Sequence, residues 1–193
     1  MTGFSEDPQS AYGRPLDKKA FLHWVQRQQY KYEFKNGEAV MHPGGTRKHA
    51  QIIGHFIVAL GNRLDPKAWA VGPGEFAVAI GEDVRCPDIL VERTSSAGDA
   101  LSTEEPVVLV EVLSPSSKAT DMTIKLSEYT SLASLEAYIV ASQDEPIVWV
   151  WQRDPSSRAF SAKPTEISGR DQSIEISALE LTLPLAELFR SIV

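Results

Sequence analysis

The chain has 193 residues, 42% of them hydrophobic and 23% charged, which suits one globular domain, and no apolar stretch reaches the roughly 18–20 residues of a membrane span. Its net charge of −7 argues against a general nucleic-acid coat protein, because such proteins need positive charge to displace counterions. The single cysteine, Cys86, excludes an internal disulfide and a multi-thiolate zinc site, so a reducing, cytoplasmic location is expected.

The predicted elements begin after a polar leader. We expect residues 1–14 to be a flexible leader and residues 15–193 to form one domain. Apolar residues at helical spacing after Pro15 predict a helix in PLDKKAFLHWVQRQQ. Two short alternating runs around Asn36-Gly37 then predict a β-hairpin. This helix and hairpin would form an N-terminal extension of the domain.

A longer helix is predicted in TRKHAQIIGHFIVALGNRL, with Thr46 as its N-cap. Its apolar stripe would consist of Ile53, Ile57, Leu60 and Leu64. Glycine and proline turns divide the following segments, AWAVGPGEFAVAI and VRCPDILVE, into short strands.

The second half of the chain contains the most apolar predicted strand, VVLVEVLS, whose unbroken character indicates burial on both faces at the centre of a sheet. A helix in KATDMTIKLSEYTSLA would cross over to a strand in EAYIVAS. Strands in PIVWVWQRD and, more weakly, AFSAKPTEI follow, and Pro184 would help to start a terminal helix. This order predicts a mixed α/β (α+β) fold in which helices flank a central mixed β-sheet.

Two acidic residues lie next to or inside apolar strands. Asp88 follows Pro87 at the start of one strand, and Glu111 lies inside the next. A buried carboxylate is costly unless it is compensated, and two neighbouring carboxylates repel each other. A divalent cation would remove this conflict, because Mg²⁺ takes oxygen ligands and commonly one or two carboxylates. The backbone carbonyl of Val112 could supply a third oxygen.

The predicted helix after Glu111 carries a candidate catalytic cation, Lys125. Asp121, Lys125 and Tyr129 are spaced i, i+4 and i+8, so they share one face of an α-helix. A surface ion pair with a packed tyrosine explains this spacing equally well.

Taken together, these segments resemble the Uma-type (Uma-two) putative restriction endonuclease family, a branch of the PD-(D/E)xK nuclease superfamily. The resemblance rests on the order of YEFKNGEAV, HAQIIGHFIVAL, CPDILVE, EVLSPSS and DMTIKLSEY, and it extends from Leu16 to the C-terminus. It implies a restriction-endonuclease-like fold and a Mg²⁺- or Mn²⁺-dependent endonuclease that hydrolyses DNA. It also implies a homodimer, since cutting two strands commonly takes two active sites.

The resemblance assigns roles to individual residues. Asp88 and Glu111 would bind the metal, and Lys125 would replace the lysine that the wider superfamily places two residues after the glutamate, where this chain has Leu113. Glu33 matches an acid that lines the same site, and His49 matches a residue with a supporting or direct role. Asp121 and Tyr129 would support the site from the helix.

Two other classes of function are compatible with the sequence. One is a catalytically silent, nuclease-like binding or regulatory module. The other is a metal-free glycoside hydrolase with a pair of carboxylates, for which Trp149 and Trp151 could be sugar platforms. These two tryptophans lie at period two on one strand, which is more typical of core packing.

Overall fold

The computed structural model describes residues 17–42, 44–94, 98–113 and 121–190, so the predicted leader 1–14 lies outside the described part. Its α-helices are α1 (Lys18–Val25), α2 (Arg47–Gly61), α3 (Leu126–Thr130) and α4 (Leu185–Leu188). Its strands are β1 (Tyr32–Lys35), β2 (Glu38–Met41), β3 (Trp69–Pro73), β4 (Ala77–Ile80), β5 (Asp83–Arg85), β6 (Ile89–Arg93), β7 (Ser102–Thr103), β8 (Pro106–Leu113), β9 (Ala137–Ser142), β10 (Ile147–Gln152), β11 (Thr165–Ser168), β12 (Ser173–Ile176) and β13 (Leu181–Pro184).

The predicted N-terminal extension is confirmed. The side chain of Asp17 accepts a hydrogen bond from the Ala20 amide and caps α1. Strands β1 and β2 pair around a turn in which Asn36 and Gly37 have φ angles of 51° and 84°. Both angles lie in the left-handed region that the short turn of a hairpin requires.

The structure contains a second large sheet beside the predicted central sheet. The six-stranded sheet has the order β11-β10-β9-β8-β6-β3, and only its β8–β9 pair is parallel, so the prediction of a central mixed sheet with β8 in its middle is confirmed. The hairpin belongs to a separate five-stranded sheet with the order β2-β1-β5-β4-β7. The division arises because β5 pairs with β1 of the hairpin and β4 pairs with β5, whereas β3 and β6 pair in the six-stranded sheet.

Strand β8 is buried on both faces, as predicted. Val108, Val110 and Val112 pack on one side against α2, while Leu109 and Leu113 pack on the other side with Tyr129 and Tyr138. Because side chains alternate along a strand, Glu111 projects on the same side as Leu109 and Leu113. The buried glutamate therefore faces the layer that contains α3.

Helix α2 begins after Thr46, whose hydroxyl accepts the His49 amide, so the predicted N-cap is confirmed. The predicted apolar stripe was wrong in its centre. The fully buried residues are Ile52, Phe56, Ala59 and Leu60, whereas Ile53 and Ile57 are only partly buried. The buried face therefore lies one position away from the predicted one, because Phe56 and Ala59 pack into the core beside the six-stranded sheet.

The crossover between β8 and β9 differs in detail from the predicted α-helix. Its described part begins with a π-helical turn, Asp121–Lys125, and continues as α3.

Strands β12 and β13 form a two-stranded sheet that the sequence patterns did not indicate, and α4 follows Pro184 as predicted. No helix in the described part of the chain is both long and apolar enough to traverse a lipid bilayer.

Candidate active site

The site lies where the chain passes from one sheet to the other. Strand β5 of the five-stranded sheet ends at Arg85, and β6 of the six-stranded sheet begins at Ile89. Cys86, Pro87 and Asp88 make the passage. Proline has no N–H to donate, so Pro87 ends the ladder here and leaves room for side chains from both sheets.

The two predicted metal-binding acids lie on the same face. Strands β6 and β8 are antiparallel, with Ile89 opposite Val110. Continuing this register by one residue sets Asp88 opposite Glu111, and side chains of directly opposite residues project to the same side of a sheet. Both carboxylates are buried, at 6% and 3% exposure. The chain therefore holds two acids together in an environment where their charge must be compensated.

Glu111 is compensated by two donors from the crossover. The Lys125 ammonium and the Tyr129 hydroxyl each lie 3.0 Å from Glu111 Oε1. Burial and the charge of Glu111 raise the pKa of Tyr129 well above its ordinary value, so the phenol stays protonated and donates. Lys125 and Tyr129, which were predicted to share one helix face with Asp121, thus both contact the strand glutamate.

Asp88 has two different partners. Its Oδ2 accepts the Val112 amide at 2.8 Å and lies 3.1 Å from His49 Nε2. Burial alone would raise the pKa of Asp88, but the bond and charge of His49 and the Val112 amide outweigh it and hold the pKa below its ordinary value. Conversely, burial would lower the pKa of His49, and the bond and charge of Asp88 raise it. The first turn of α2 thereby supports the acid.

Glu33 projects from β1 on the side of the hairpin sheet that faces α3. Its Oε2 accepts Arg85 Nη1 at 2.7 Å, and its Oε1 accepts the Cys86 amide at 3.2 Å. Lys125 Nζ lies 3.9 Å from the same Oε1. Burial would raise the pKa of Glu33, but the charges of Lys125 and Arg85 lower it below its ordinary value. Both oxygens of Glu33 are thus engaged by the protein, which favours a positioning role.

A further ion pair was not foreseen from the sequence. Arg85 Nε and Nη2 contact the two oxygens of Glu128 on α3 at 2.8 and 2.7 Å, and the Arg85 side chain is only 5% exposed. Two signals were available: an arginine between the apolar residues Val84 and Cys86, and a glutamate three residues after Lys125. Arg85 therefore links the hairpin sheet to the helix that carries Lys125.

The structure brings most of the predicted site residues together, and one of them, Asp121, needs separate comment. Those that converge are Glu33, His49, Asp88, Glu111, Val112, Lys125 and Tyr129. Asp121 begins the π-helical turn, but its side chain lies outside what the structure describes. Within the described residues, no three His, Cys, Asp or Glu side chains form a group that could hold a metal ion. A cation here would need backbone oxygen as well.

Trp149 and Trp151 pack with the β8–α3 core. Trp151 is 2% exposed and stacks on Tyr138, and Trp149 is partly buried against the same cluster. Two aromatic rings in this position do not form an open sugar-binding platform.

Cys86 is a buried thiol whose pKa burial raises to about 11, so it is not a nucleophile at neutral pH.

Comparison with known proteins identifies the fold and the family of the chain. A crystal structure of a "putative nuclease belonging to DUF820" from Anabaena variabilis superimposes with a TM-score of 0.75 and 18% identity, over 93% of this chain and all of that one. The two proteins therefore share one fold. The uncharacterized protein slr1290 of Synechocystis sp. is 30% identical over 132 residues, which are 66% of this chain and 68% of that protein.

The model of the Uma2 family, described as "putative restriction endonuclease", matches residues 19–186. The chain belongs to this family, and the resemblance predicted from its motifs is confirmed.

Proposed function

We propose that this protein is an endonuclease that uses a divalent cation, Mg²⁺ or Mn²⁺, to hydrolyse phosphodiester bonds of DNA. One observation carries the proposal: Asp88 and Glu111 face the same side of neighbouring strands, and Lys125 contacts Glu111 at 3.0 Å. Three separate elements thus contribute two carboxylates and an ammonium group to one place. Membership of a family described as restriction endonucleases supports the same chemistry.

The oxygen atoms suit a hard cation. Both hydrogen bonds of Asp88 end on Oδ2, and no described residue donates to Oδ1. In an extended strand the N–H and C=O of one residue point the same way, so the carbonyl of Val112 points toward Asp88, as its amide does. The register sets Pro87 opposite Val112, and proline cannot donate to that carbonyl. Asp88, Glu111 and the Val112 carbonyl would therefore hold Mg²⁺, which accepts few carboxylates and keeps several waters.

Each remaining residue has a role that follows from its contacts. When bound, a divalent cation would lower the pKa of a coordinated water and polarise the scissile phosphate. Lys125 stabilises the negative charge that develops on the phosphate and orients the attacking water. Glu33 and Tyr129 position Lys125 and Glu111, and His49 fixes the orientation of Asp88. Asp121 remains a candidate supporting residue.

Plasmid cleavage tests the proposal. Supercoiled DNA is incubated with Mg²⁺ or Mn²⁺ and the wild type, Asp88→Asn or Lys125→Met, with Asp144→Asn as an exposed acidic control. We expect at least a hundredfold slower nicking by the two site variants, since removing one group that stabilises the transition state costs about 10²–10³ in rate. EDTA should stop the wild type, and Asp144→Asn should cut normally. Equal nicking by all four proteins would refute the assignment.

A catalytically silent binding or regulatory module is the second candidate, and one observation favours it. Both acids already have partners within the chain: His49 and Val112 for Asp88, and Lys125 with Tyr129 for Glu111. Such a site is stable without a cation. This alternative predicts that the folded wild type binds no Mn²⁺ in a titration calorimeter and cuts no DNA.

The expected homodimer belongs to the same proposal. Two active sites are needed to cut both strands in one encounter, and a monomer would only nick. Light scattering of the purified chain distinguishes the two masses. A dimer that converts supercoiled plasmid directly to linear product supports the expectation, whereas a monomer that accumulates nicked circles contradicts it.

A further inference from the structure

Strand β1 presents a row of charged side chains to the site. Tyr32 and Phe34 point into the core beneath the hairpin. Residues 31, 33 and 35 alternate with them and therefore project to the opposite side. Glu33 contacts Arg85, and Lys35 lies 3.9 Å from Glu128. Lys31, two residues before Glu33, extends this row past the end of the strand toward Asp88.

The Lys31 ammonium group lies close to Gly74. A Cβ atom on Gly74 would lie 2.6 Å from Lys31 Nζ and would collide with the carbonyl oxygen of Pro87. The ammonium group therefore lies beside the backbone that leads into Asp88.

Lys31 differs from the other cations of the site in its partners. Lys125 pairs with Glu111, Arg85 pairs with Glu33 and Glu128, and Lys35 lies near Glu128. No carboxylate of a described residue lies within 4.0 Å of Lys31 Nζ, and this side chain is partly exposed while Asp88 and Glu111 are buried. A positive charge thus lies at a partly exposed position beside an acidic site, and no carboxylate of the described residues pairs with it.

We propose that Lys31 binds a backbone phosphate of the DNA substrate, on the Asp88 side of the scissile bond. The inference rests on the proposed function, since it assigns a contact to the same substrate. The buried carboxylates repel a polyanion, and a nearby cation offsets that repulsion as the strand approaches. A lysine is suited to this contact because its compact charge binds phosphate without the fixed fork geometry of arginine. Lys31 would therefore contribute to affinity for any DNA sequence.

Salt-dependent binding tests the inference without relying on cleavage. The full chain with Asp88→Asn is titrated against fluorescent 20-base-pair duplexes of two sequences, over a range of salt concentrations. Lys31→Gln, Lys31→Arg and Lys67→Gln are compared in this background. Lys67 is an exposed lysine beyond the C-terminal end of α2, whereas Thr46 and His49 lie at its N-terminal end. Lys67→Gln therefore removes the same charge at a position far from the site.

One lost phosphate contact reduces the slope of log Kd against log salt by about 0.9, which is about an eightfold loss of affinity at 0.1 M salt. We expect this loss for Lys31→Gln with both sequences, retention by Lys31→Arg, and an unchanged slope for Lys67→Gln. An unchanged slope for Lys31→Gln, an equal change for Lys67→Gln, or absence of DNA binding by the parent would overturn the inference.

The two proposals can fail separately. Cleavage by the otherwise native chain together with an unaltered slope for Lys31→Gln would keep the nuclease and remove the phosphate contact. DNA binding that depends on Lys31, in a protein that cuts no DNA, would keep the phosphate contact and remove the nuclease. If Lys31 acts only through the fold, Lys31→Gln would lower the urea midpoint and leave the slope unchanged.

Discussion

Replacing Arg85 by methionine tests whether the buried ion pairs hold the site together. The guanidinium makes three short contacts, one to Glu33 and two to Glu128. Methionine fills a similar volume but leaves both carboxylates without that partner. Glu128 is 20% exposed and retains Lys35 at 3.9 Å, whereas Glu33 is 8% exposed at its side chain. Most of the cost should therefore come from Glu33.

Removing one partner of a buried ion pair costs about 3–5 kcal/mol. Because Lys125 and the Cys86 amide still face Glu33, we expect the lower end, about 3 kcal/mol at pH 7. In the wild type the pKa of Glu33 lies below its ordinary value of 4.5. Ionised Glu33 therefore contributes to the free energy of unfolding above pH 4.5, and this contribution is lost as the pH falls through the folded pKa. Without Arg85, burial should raise the pKa of Glu33. Protonation near pH 4 then removes part of the cost of a buried, charged Glu33 in the variant.

Urea unfolding at pH 7 and pH 4 measures both expectations. With a slope of about 2 kcal/mol per molar, the loss at pH 7 corresponds to a midpoint about 1.5 M lower, and the difference should shrink at pH 4. Arg63→Met is the control, because Arg63 forms the same fork with Glu187 at the surface and should shift the midpoint much less. A small shift at pH 7 that does not change with pH would refute the reasoning.

Three further outcomes are expected from single contacts. Tyr129→Phe removes a bond to the buried carboxylate of Glu111 and should cost about 1.5–3 kcal/mol in urea unfolding, while an unchanged midpoint would contradict that contact. The pKa of His49 is raised above its ordinary value of 6.5, so protonated His49 stabilises the fold below that pH, and this stabilisation is lost as the pH rises through the folded pKa. His49→Gln should therefore flatten the decline of stability above pH 6.5. A Cβ on Gly45 would collide with the His49 ring, so Gly45→Ala should displace the ring from Asp88 and flatten the same profile; a wild-type profile would show that the ring adapts.

The elements that the sequence predicted best are those specified by short-range chemistry. Asn36-Gly37 can adopt the left-handed angles of the turn, and Thr46 can cap a helix, whatever the remainder of the chain does. The position of the buried stripe on α2 depended instead on which residue the distant sheet accepts, and Phe56 was placed there by packing. The separation into two sheets likewise depended on pairing between β1 and β5, which are far apart in the chain.

The site was predictable to the extent that each charged residue lies in an apolar context. Asp88 after Pro87 and Glu111 among valines both indicated a special environment. Local spacing also placed Lys125 and Tyr129 together. The role of Arg85 depended on contacts between β1, β5 and α3 that no local pattern encodes. Lys31 was missed because its closeness to Gly74 and Pro87 joins segments that are far apart in the chain.

The charged contacts explain how two sheets can share one active site. Lys125 at the start of α3 bonds to Glu111 of the six-stranded sheet, and Glu128 one turn later bonds to Arg85 of the five-stranded sheet. The helix is therefore attached to the six-stranded sheet through a lysine and to the five-stranded sheet through a glutamate. Glu33 joins the two cations, because it lies within 4.0 Å of each. A change at Glu33 should consequently alter the position of Lys125 as well as that of Arg85, so the effects of Glu33 and Arg85 substitutions on cleavage should not be additive.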